Sequence, residues 1–149
     1  MFTEFKIKEL TSWADIELSC GKRKLEFSAS KAGFYSFEEL AEGLLLLKKK
    51  ENISTTVTFD LESKGLLYLI FSSYPNTLIK LSVYIDIFWG NYEETFEDQP
   101  MPKPVFESII PELGYFISSV VTEFEKYGKQ GFASWSNEFF NEKLEELKH

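Results

Sequence analysis

The side chains most often used in catalysis are scarce in this chain. His149 is the only histidine among 149 residues, and it stands at the last position, where order is least expected. Ser-His-Asp and Cys-His arrangements therefore lack a base. A zinc site of the Cys/His kind is excluded as well, because Cys20 is the only cysteine. None of the eight glycines stands in the spacing of a phosphate-binding loop. We expect no catalytic residue, no cofactor and no metal ion, and we predict a protein that is not an enzyme.

Carboxylates are the remaining groups that could perform chemistry. Glu93, Glu94, Glu97 and Asp98 lie within six residues of one another. Such a cluster could bind a hard cation or form a glycosidase pair. The spacing of an EF-hand and its central glycine are absent, however, and a hydrolytic pair needs one desolvated acid. The surrounding segment 90–104 contains three prolines and predicts a solvated surface loop.

The best-defined element that could position these acids is a strand over 78–89, LIKLSVYIDIFW. Its odd-numbered positions from Ile79 to Trp89 are apolar, and the residues between them are mostly polar. This period of two predicts a long strand with one face in the core. The opposite face is predicted to carry Lys80, Ser82, Tyr84 and Asp86.

Shorter patterns predict the remaining strands. A first strand is predicted over 2–10, and a hairpin joins 16–20 to 25–29 through Gly21 and Lys22. Cys20 alternates with Ile16 and Leu18, so a small buried side chain is favoured over a reactive thiol. Segments 57–61 and 66–72 form a meander with 78–89, because connections this short force antiparallel neighbours.

Helical spacing predicts three helices. Ser36 and Glu39 are expected to form a capping box that opens a helix to about Lys50, with Gly43 where the helix crosses the sheet closely. The major helix is predicted over 106–124, with Pro111 in its first turn or at a kink, and it should end near Gly128. A last short helix should have a buried edge made of Trp135, Phe139, Leu144 and Leu147.

Together these elements predict one α+β domain spanning 1–149. An antiparallel sheet of about six strands is expected, consisting of an N-terminal strand and hairpin, a helix and a three-stranded meander. Two or three helices should pack on one face of this sheet. The 15 phenylalanines favour a core rich in large rings.

Charge limits the class of partner. The net charge is -8, and Arg23 is the only arginine among 16 basic residues. Arginine forks dominate phosphate recognition, so nucleic acid is disfavoured, and the acidity disfavours an anionic membrane. A basic partner protein is permitted. The single cysteine and the lack of a signal-peptide pattern in MFTEFKIKEL predict a cytoplasmic protein.

The candidate partner-binding surface combines rings with acids. Its predicted residues share the even-numbered face of the long strand or follow it in the acidic loop, where anchors and steering charges would alternate. They are Tyr84, Asp86, Phe88, Tyr92, Glu93, Glu94, Phe96, Glu97 and Asp98. The competing interpretation is that helices cover this face and that the rings belong to the core.

The layout resembles that of small acidic immunity proteins of bacterial polymorphic toxin systems. The similarity covers the strands over 2–30, the helix SFEELAEGLLLLKK, the meander ending in LIKLSVYIDIFW and the helical last third. It implies a non-enzymatic interaction module that neutralises a cognate toxin domain by stoichiometric binding. No residue is assigned a role from it. The alternative hypothesis is a small module that binds an apolar ligand in an aromatic cavity of the sheet.

Overall fold

Seven strands and three helices make up the fold, seen in a computed structural model that describes residues 2–31, 34–50, 54–76, 78–86, 103–135 and 140–149. The strands are β1 (Thr3–Leu10), β2 (Trp13–Cys20), β3 (Arg23–Ser30), β4 (Ser54–Asp60), β5 (Leu66–Tyr74), β6 (Leu78–Asp86) and β7 (Phe106–Ile110). The helices are α1 (Ser36–Lys48), α2 (Leu113–Phe132) and α3 (Asn141–Lys148).

The strands form one antiparallel sheet in the order β1-β2-β3-β4-β5-β6-β7, so each strand pairs with its neighbours in sequence. This arrangement confirms the predicted α+β class and the antiparallel sheet. Gly21 closes the predicted β2–β3 hairpin with a positive φ of 63°, a conformation that glycine adopts without a steric penalty. Thr3 and Ser108 share a side-chain hydrogen bond of 2.9 Å, which brings the first and last strands together.

The seventh strand corrects the predicted start of the major helix. Phe106, Ser108 and Ile110 are buried in alternation, and β7 pairs with β6 from Val83 opposite Phe106 to Ile79 opposite Ile110. The expected helix over 106–124 is therefore wrong for its first residues, and α2 begins only after Pro111. Short apolar runs fit helical and strand periods equally well, and here strand pairing with β6 decides the outcome.

The predicted end of the major helix near Gly128 coincides with a break in α2. Gly128 has the non-helical angles φ 62° and ψ -169°, and a second helical segment follows this kink and continues to Phe132. Trp135 is buried, but it precedes α3 rather than lying on it. Leu144 and Leu147 form the buried edge of α3 as predicted. Phe139 lies outside the described residues.

Aromatic rings join the sheet to the helices in the core. The Phe37 ring of α1 meets the rings of Phe59, Phe124, Phe132 and Trp135 at centroid distances of 5.0 to 6.1 Å. All four contacts are edge-on, the geometry that aromatic quadrupoles favour. The phenylalanine-rich core predicted from composition is present.

Helix α1 lies against β4, but its predicted capping box is wrong. No side-chain hydrogen bond caps the helix, and Ser36 is its first residue. The Ser36 hydroxyl instead donates to the carbonyl of Thr58, and the Thr58 amide donates to the Glu39 carboxylate. Both side chains thus satisfy the backbone of β4 along the edge that faces away from β5. Gly43 permits the predicted close approach, since a Cβ there would lie 3.1 Å from Thr55 Oγ1.

Helix α2 covers the outer edge of β1 in a similar way. The amide of Phe5 donates to Ser119 Oγ at 3.1 Å, and the Tyr127 hydroxyl donates to the carbonyl of Ile7 at 2.9 Å. An uncovered strand edge presents unpaired backbone groups that promote association with other chains. These contacts therefore use polar side chains to close an edge that a further strand would otherwise pair with.

Candidate partner-binding site

Two of the predicted site residues lie on the outer face of β6. Tyr84 stands opposite Tyr68 of β5 and is half-buried, whereas Asp86 stands opposite Leu66 and is exposed. Their orientation agrees with the predicted alternation of the strand, because Leu81 and Val83 point into the core. The other seven, Phe88, Tyr92, Glu93, Glu94, Phe96, Glu97 and Asp98, lie outside the described residues.

The two tyrosines form a cross-strand pair on this outer face. Burial raises the pKa of the Tyr68 phenol, and the nearby Asp86 carboxylate raises it further. The phenol therefore remains protonated and able to donate a hydrogen bond at neutral and mildly basic pH. Adjacent rings beside a carboxylate supply both contact area and a charge that attracts cations.

A groove of about 840 Å³ opens beside the end of β6. We call it the β3-edge groove, because it lies between β3 and the 3₁₀ turn Glu62–Lys64 that links β4 to β5. Its lining includes Ile85, the residue that precedes Asp86. Its lining is formed by Lys8, Trp13, Asp15, Ile16, Glu26, Phe27, Ser28, Leu61, Glu62, Ser63, Lys64 and Ile85.

The groove exists because β3 and β4 diverge. In the described part of the chain these two strands pair at one position only, Ser30 opposite Asp60. Beyond that point α1 takes over the edge of β4 through its contacts with Thr58. The edge of β3 is consequently left beside a concavity instead of a neighbouring strand.

Apolar side chains line part of the groove. Trp13, at the start of β2, is 40% exposed, which is high for the largest apolar side chain. Phe27 is half-buried and packs edge-on against Phe59 at 5.3 Å. Ile85 and Leu61 contribute aliphatic surface at the other wall. A partially exposed tryptophan beside a packed ring is a frequent anchor for a binding partner.

Acidic groups surround these apolar side chains. Asp15, Glu26 and Glu62 line the groove, and Asp60 and Asp86 are the sequence neighbours of its lining residues Leu61 and Ile85. Two lysines oppose them. The ammonium of Lys8 is already held by Glu26 at 2.7 Å and by Glu17 at 3.2 Å, and the hydrogen bonds with these carboxylates, that with Glu26 foremost, raise the Lys8 pKa.

Among the charged groups that make no ion pair with a described residue, carboxylates outnumber lysines. Over the described ranges, Asp15, Asp60, Glu62 and Asp86 make no ion pair, and Lys64 is the one groove lysine without a carboxylate partner. Asp15 accepts the Ser28 hydroxyl, and Asp60 accepts the Glu62 amide at 2.7 Å. The described lining of the groove therefore contains more acids than lysines, which favours a cationic group.

Nowhere in the described ranges do three His, Cys, Asp or Glu side chains come together in a group that could hold a metal ion. Cys20 is buried, in agreement with the interpretation as a small core residue. The Glu26–Lys8 pair is exposed and engaged, so it offers an ion pair and not an acid–base couple.

Trp13, Phe27 and Glu62 are site residues that the sequence did not identify. Trp13 precedes the predicted hairpin strand, and no periodic pattern includes it. A lone tryptophan beside polar Thr11 and Ser12 was the only available signal. The grouping of these residues depends on the divergence of β3 from β4, which is a tertiary feature with no local signature.

Comparisons with known proteins identify no relative for this chain. No protein-family model, curated protein or solved structure matches it significantly. No described helix combines the length and apolar character needed to cross a membrane.

Proposed function

We propose that this chain is a non-enzymatic interaction module that binds a basic partner protein through the β3-edge groove. One observation supports the proposal most: the exposed Trp13 lies in a groove whose lining includes Asp15 and Glu62, two carboxylates that make no ion pair with any described residue. Tryptophan anchors contribute a large share of binding energy, and uncompensated charges of one sign accelerate association.

The predicted loop surface follows this site along the chain. The chain leaves β6 at Asp86, beside the groove, and continues into the acidic and aromatic segment that holds Glu93, Glu94, Glu97 and Asp98. Tyr84 and Asp86, on the outer face of β6, are the described members of the predicted surface. The acids of the groove and of the loop have the sign that attracts a cationic partner, and such attraction acts over a Debye length of roughly 8–10 Å at moderate salt.

A narrower form of the proposal is an immunity protein that neutralises a cognate toxin domain in the bacterial cytoplasm. The resemblance in layout and the net charge of -8 favour it. The same charge argues against nucleic acid and anionic membranes as partners. Stoichiometric capture of a basic toxin domain encoded next to this chain is the observation that would support this form.

The test of the groove is affinity capture from the native host followed by variants of the bait. Trp13→Ala should weaken binding of the captured partner by about thirtyfold or more, the loss expected for a tryptophan hot spot. Tyr35→Ala is the matched control, because Tyr35 is 47% exposed but does not line the groove. Equal binding by the two variants would contradict the groove as the site.

Charge reversal tests the electrostatic part separately. Glu62→Lys combined with Asp86→Lys should slow association severalfold at low salt and lose its effect at high salt. Glu112→Lys with Glu145→Lys makes the same change in net charge at exposed positions outside the groove. Reversal of Glu93, Glu94, Glu97 and Asp98 to Lys tests the loop: severalfold weaker capture supports its role, and unchanged binding excludes it.

A further inference from the structure

A second concavity, of about 810 Å³, lies between the helices and not at the edge of a strand. We call it the helix groove. It is bounded by the end of α1, the first half of α2, the end of α3 and the adjacent ends of β5 and β6. Its lining shares no residue with the β3-edge groove. A property assigned to it is therefore independent of the proposed protein partner.

The floor of the helix groove is aliphatic. Leu47, Ile117, Val121 and Leu147 are between 3% and 9% exposed and come from three different helices. Ile79 of β6 adds a half-buried wall. The volume lies in the range of 300–1,000 Å³ that is typical of small-ligand sites, and an apolar floor with few polar groups is their usual composition.

The charges of this groove are opposite to those of the whole chain. The lining contains Lys48, Lys50 and Lys148, and none of its described members is acidic, in a protein with 24 acidic and 16 basic residues. Lys48 donates to the carbonyls of Glu146 and Leu147 at 3.0 and 3.1 Å, which occupies it at the end of α3.

The other two lysines, Lys148 and Lys50, differ in whether a described carboxylate already pairs with them. Lys148 is paired with the carboxylates of Glu125 and Glu145. Lys50 makes no side-chain hydrogen bond or ion pair with any described residue. Among the described residues, its ammonium is therefore the groove cation that has no anionic partner.

Two positions of the groove carry residue types that their backbone conformation does not favour or require. Lys50 has a φ of 58°, a conformation that favours glycine, yet the chain places a long cationic side chain there. Gly114 lies in the first turn of α2, where φ is not positive and a Cβ would meet no atom within 4 Å. Neither sterics nor conformation requires glycine at this position. The lack of a side chain at Gly114 keeps the groove open.

From these features we propose that the helix groove binds a long-chain carboxylate. The alkyl chain would lie on the floor formed by Ile117, Val121 and Leu147, and the carboxylate would pair with Lys50. Charge complementarity selects this occupant over a neutral apolar molecule, because the described lining of the groove contains no acid and includes one lysine, Lys50, that no described carboxylate engages. Binding requires no covalent step.

Calorimetric titration of the delipidated full chain with dodecanoate, and with 1-dodecanol as the uncharged analogue, tests the proposal. Dodecanoate should bind with 1:1 stoichiometry and more tightly than the alcohol. Lys50→Gln should weaken dodecanoate binding about fivefold, as expected for one exposed ion pair, and leave alcohol binding unchanged. Lys22→Gln, in the β2–β3 turn, is the charge-matched control and should change neither. No dodecanoate binding, or equal loss for both probes in Lys50→Gln, would overturn the proposal.

A steric variant locates the alkyl chain. Gly114→Leu fills the open space above the floor and should weaken binding of both probes at least tenfold, whereas Gly114→Ala should have a smaller effect. Circular dichroism and thermal unfolding confirm that each variant is folded. For the wild-type protein, dodecanoate should shift the amide resonances of 113–118 in NMR spectra. Shifts confined to residues of the β3-edge groove, or unchanged affinity in Gly114→Leu, would contradict this site.

Discussion

The backbone amide of Thr58 in β4 donates a hydrogen bond to the carboxylate of Glu39 in α1, with 3.2 Å between N and Oε1. The Ser36 hydroxyl donates to the carbonyl of the same residue. One helix turn thus satisfies both backbone groups of Thr58 where β3 has moved away from β4. This contact joins α1 to the sheet and defines one end of the region in which the β3-edge groove opens.

Two substitutions of Glu39 should distinguish the effect of its acceptor oxygen on stability from the effect of its charge. Burial raises the pKa of Glu39, the Thr58 hydrogen bond opposes this, and Glu42 raises it further. Glu39→Ala leaves the Thr58 amide without its acceptor and should cost about 1–2 kcal/mol in the free energy of unfolding. Glu39→Gln keeps an acceptor oxygen and should be at least as stable as the wild type at pH 7.

The pH dependence provides the second measurement for Glu39. Because the pKa of Glu39 is higher in the folded state than in the unfolded state, the folded protein takes up the proton at a higher pH. The wild type should therefore gain stability as pH falls through that raised pKa towards 4.5. Glu39→Gln should lack this gain. Urea unfolding at pH 7 and pH 5 measures both effects. Glu38→Ala, in the same turn, is the control, and an equal loss in Glu38→Ala and Glu39→Ala would contradict the role of the Thr58 contact.

Local patterns predicted most of the sheet correctly. The alternation in 78–89 placed Tyr84 and Asp86 on one face because pairing with β5 preserves a period of two. The β2–β3 hairpin followed from Gly21, whose positive φ the turn requires. Such features depend on residues close in sequence, so the local sequence pattern is enough to predict them.

Features that depend on distant partners were not predictable in the same way. Ser36 and Glu39 match a capping box, but the unpaired edge of β4 competes for both side chains and binds them. Phe106 and Ile110 fit a helical stripe, but β6 offers a strand edge to which they add. The β3-edge groove arises from the single Ser30–Asp60 pairing between β3 and β4, for which the sequence has no local signal.

Glu17 should stabilise the outer face of β1–β3 in a pH-dependent way. Its side chain is 6% exposed, and lysine ammoniums lie at 3.2 Å (Lys8) and 3.4 Å (Lys24). Desolvation alone would raise its pKa, but the hydrogen bonds and charges of Lys8 and Lys24 outweigh this and lower the pKa below 4.5. The stabilisation is therefore present above pH 4.5 and is lost as pH falls through the lowered native pKa.

Glu17→Gln should accordingly reduce the free energy of unfolding by about 1 kcal/mol at pH 7, and the difference from the wild type should shrink on acidification. Chemical denaturation across pH 3–7 measures this difference. Glu26→Gln is the control, because its carboxylate is 57% exposed and its pair with Lys8 is screened by solvent. A pH-independent loss in Glu17→Gln would show that packing and not charge is responsible.

Gly43 and Thr55 should be energetically coupled. A Cβ on Gly43 would lie 3.1 Å from Thr55 Oγ1, a buried oxygen without a hydrogen-bond partner among the described residues. Alanine favours a helix over glycine by about 1 kcal/mol, but in Gly43→Ala this gain is opposed by the close contact. In a Thr55→Ala background the contact is absent, so Gly43→Ala should stabilise the protein.

The double-mutant cycle should give a favourable coupling of about 1 kcal/mol between the two alanines. Thr55→Ser is the matched control, because it retains the hydroxyl oxygen and should not relieve the contact. Thermal and urea unfolding of the single and double variants provide the four values. Additive effects would mean that α1 moves away from β4 at no cost, which contradicts a close crossing at Gly43.

Glu123 should reduce the stability of the protein at neutral pH. Its side chain lies on α2 between Ser119 and Tyr127, which both bind the edge of β1, and the residue is 9% exposed. Its Oε2 atom has no hydrogen-bond partner in the described part of the chain. A charged oxygen without a partner costs more to bury than a neutral amide at the same position, so Glu123→Gln should raise the free energy of unfolding by about 1 kcal/mol at pH 7. Glu125→Gln, two residues away, is the control: Glu125 is exposed and paired with Lys148, so its removal should change stability by less than about 0.5 kcal/mol. A Glu123→Gln variant that is less stable than the wild type would contradict this account of the unpaired oxygen.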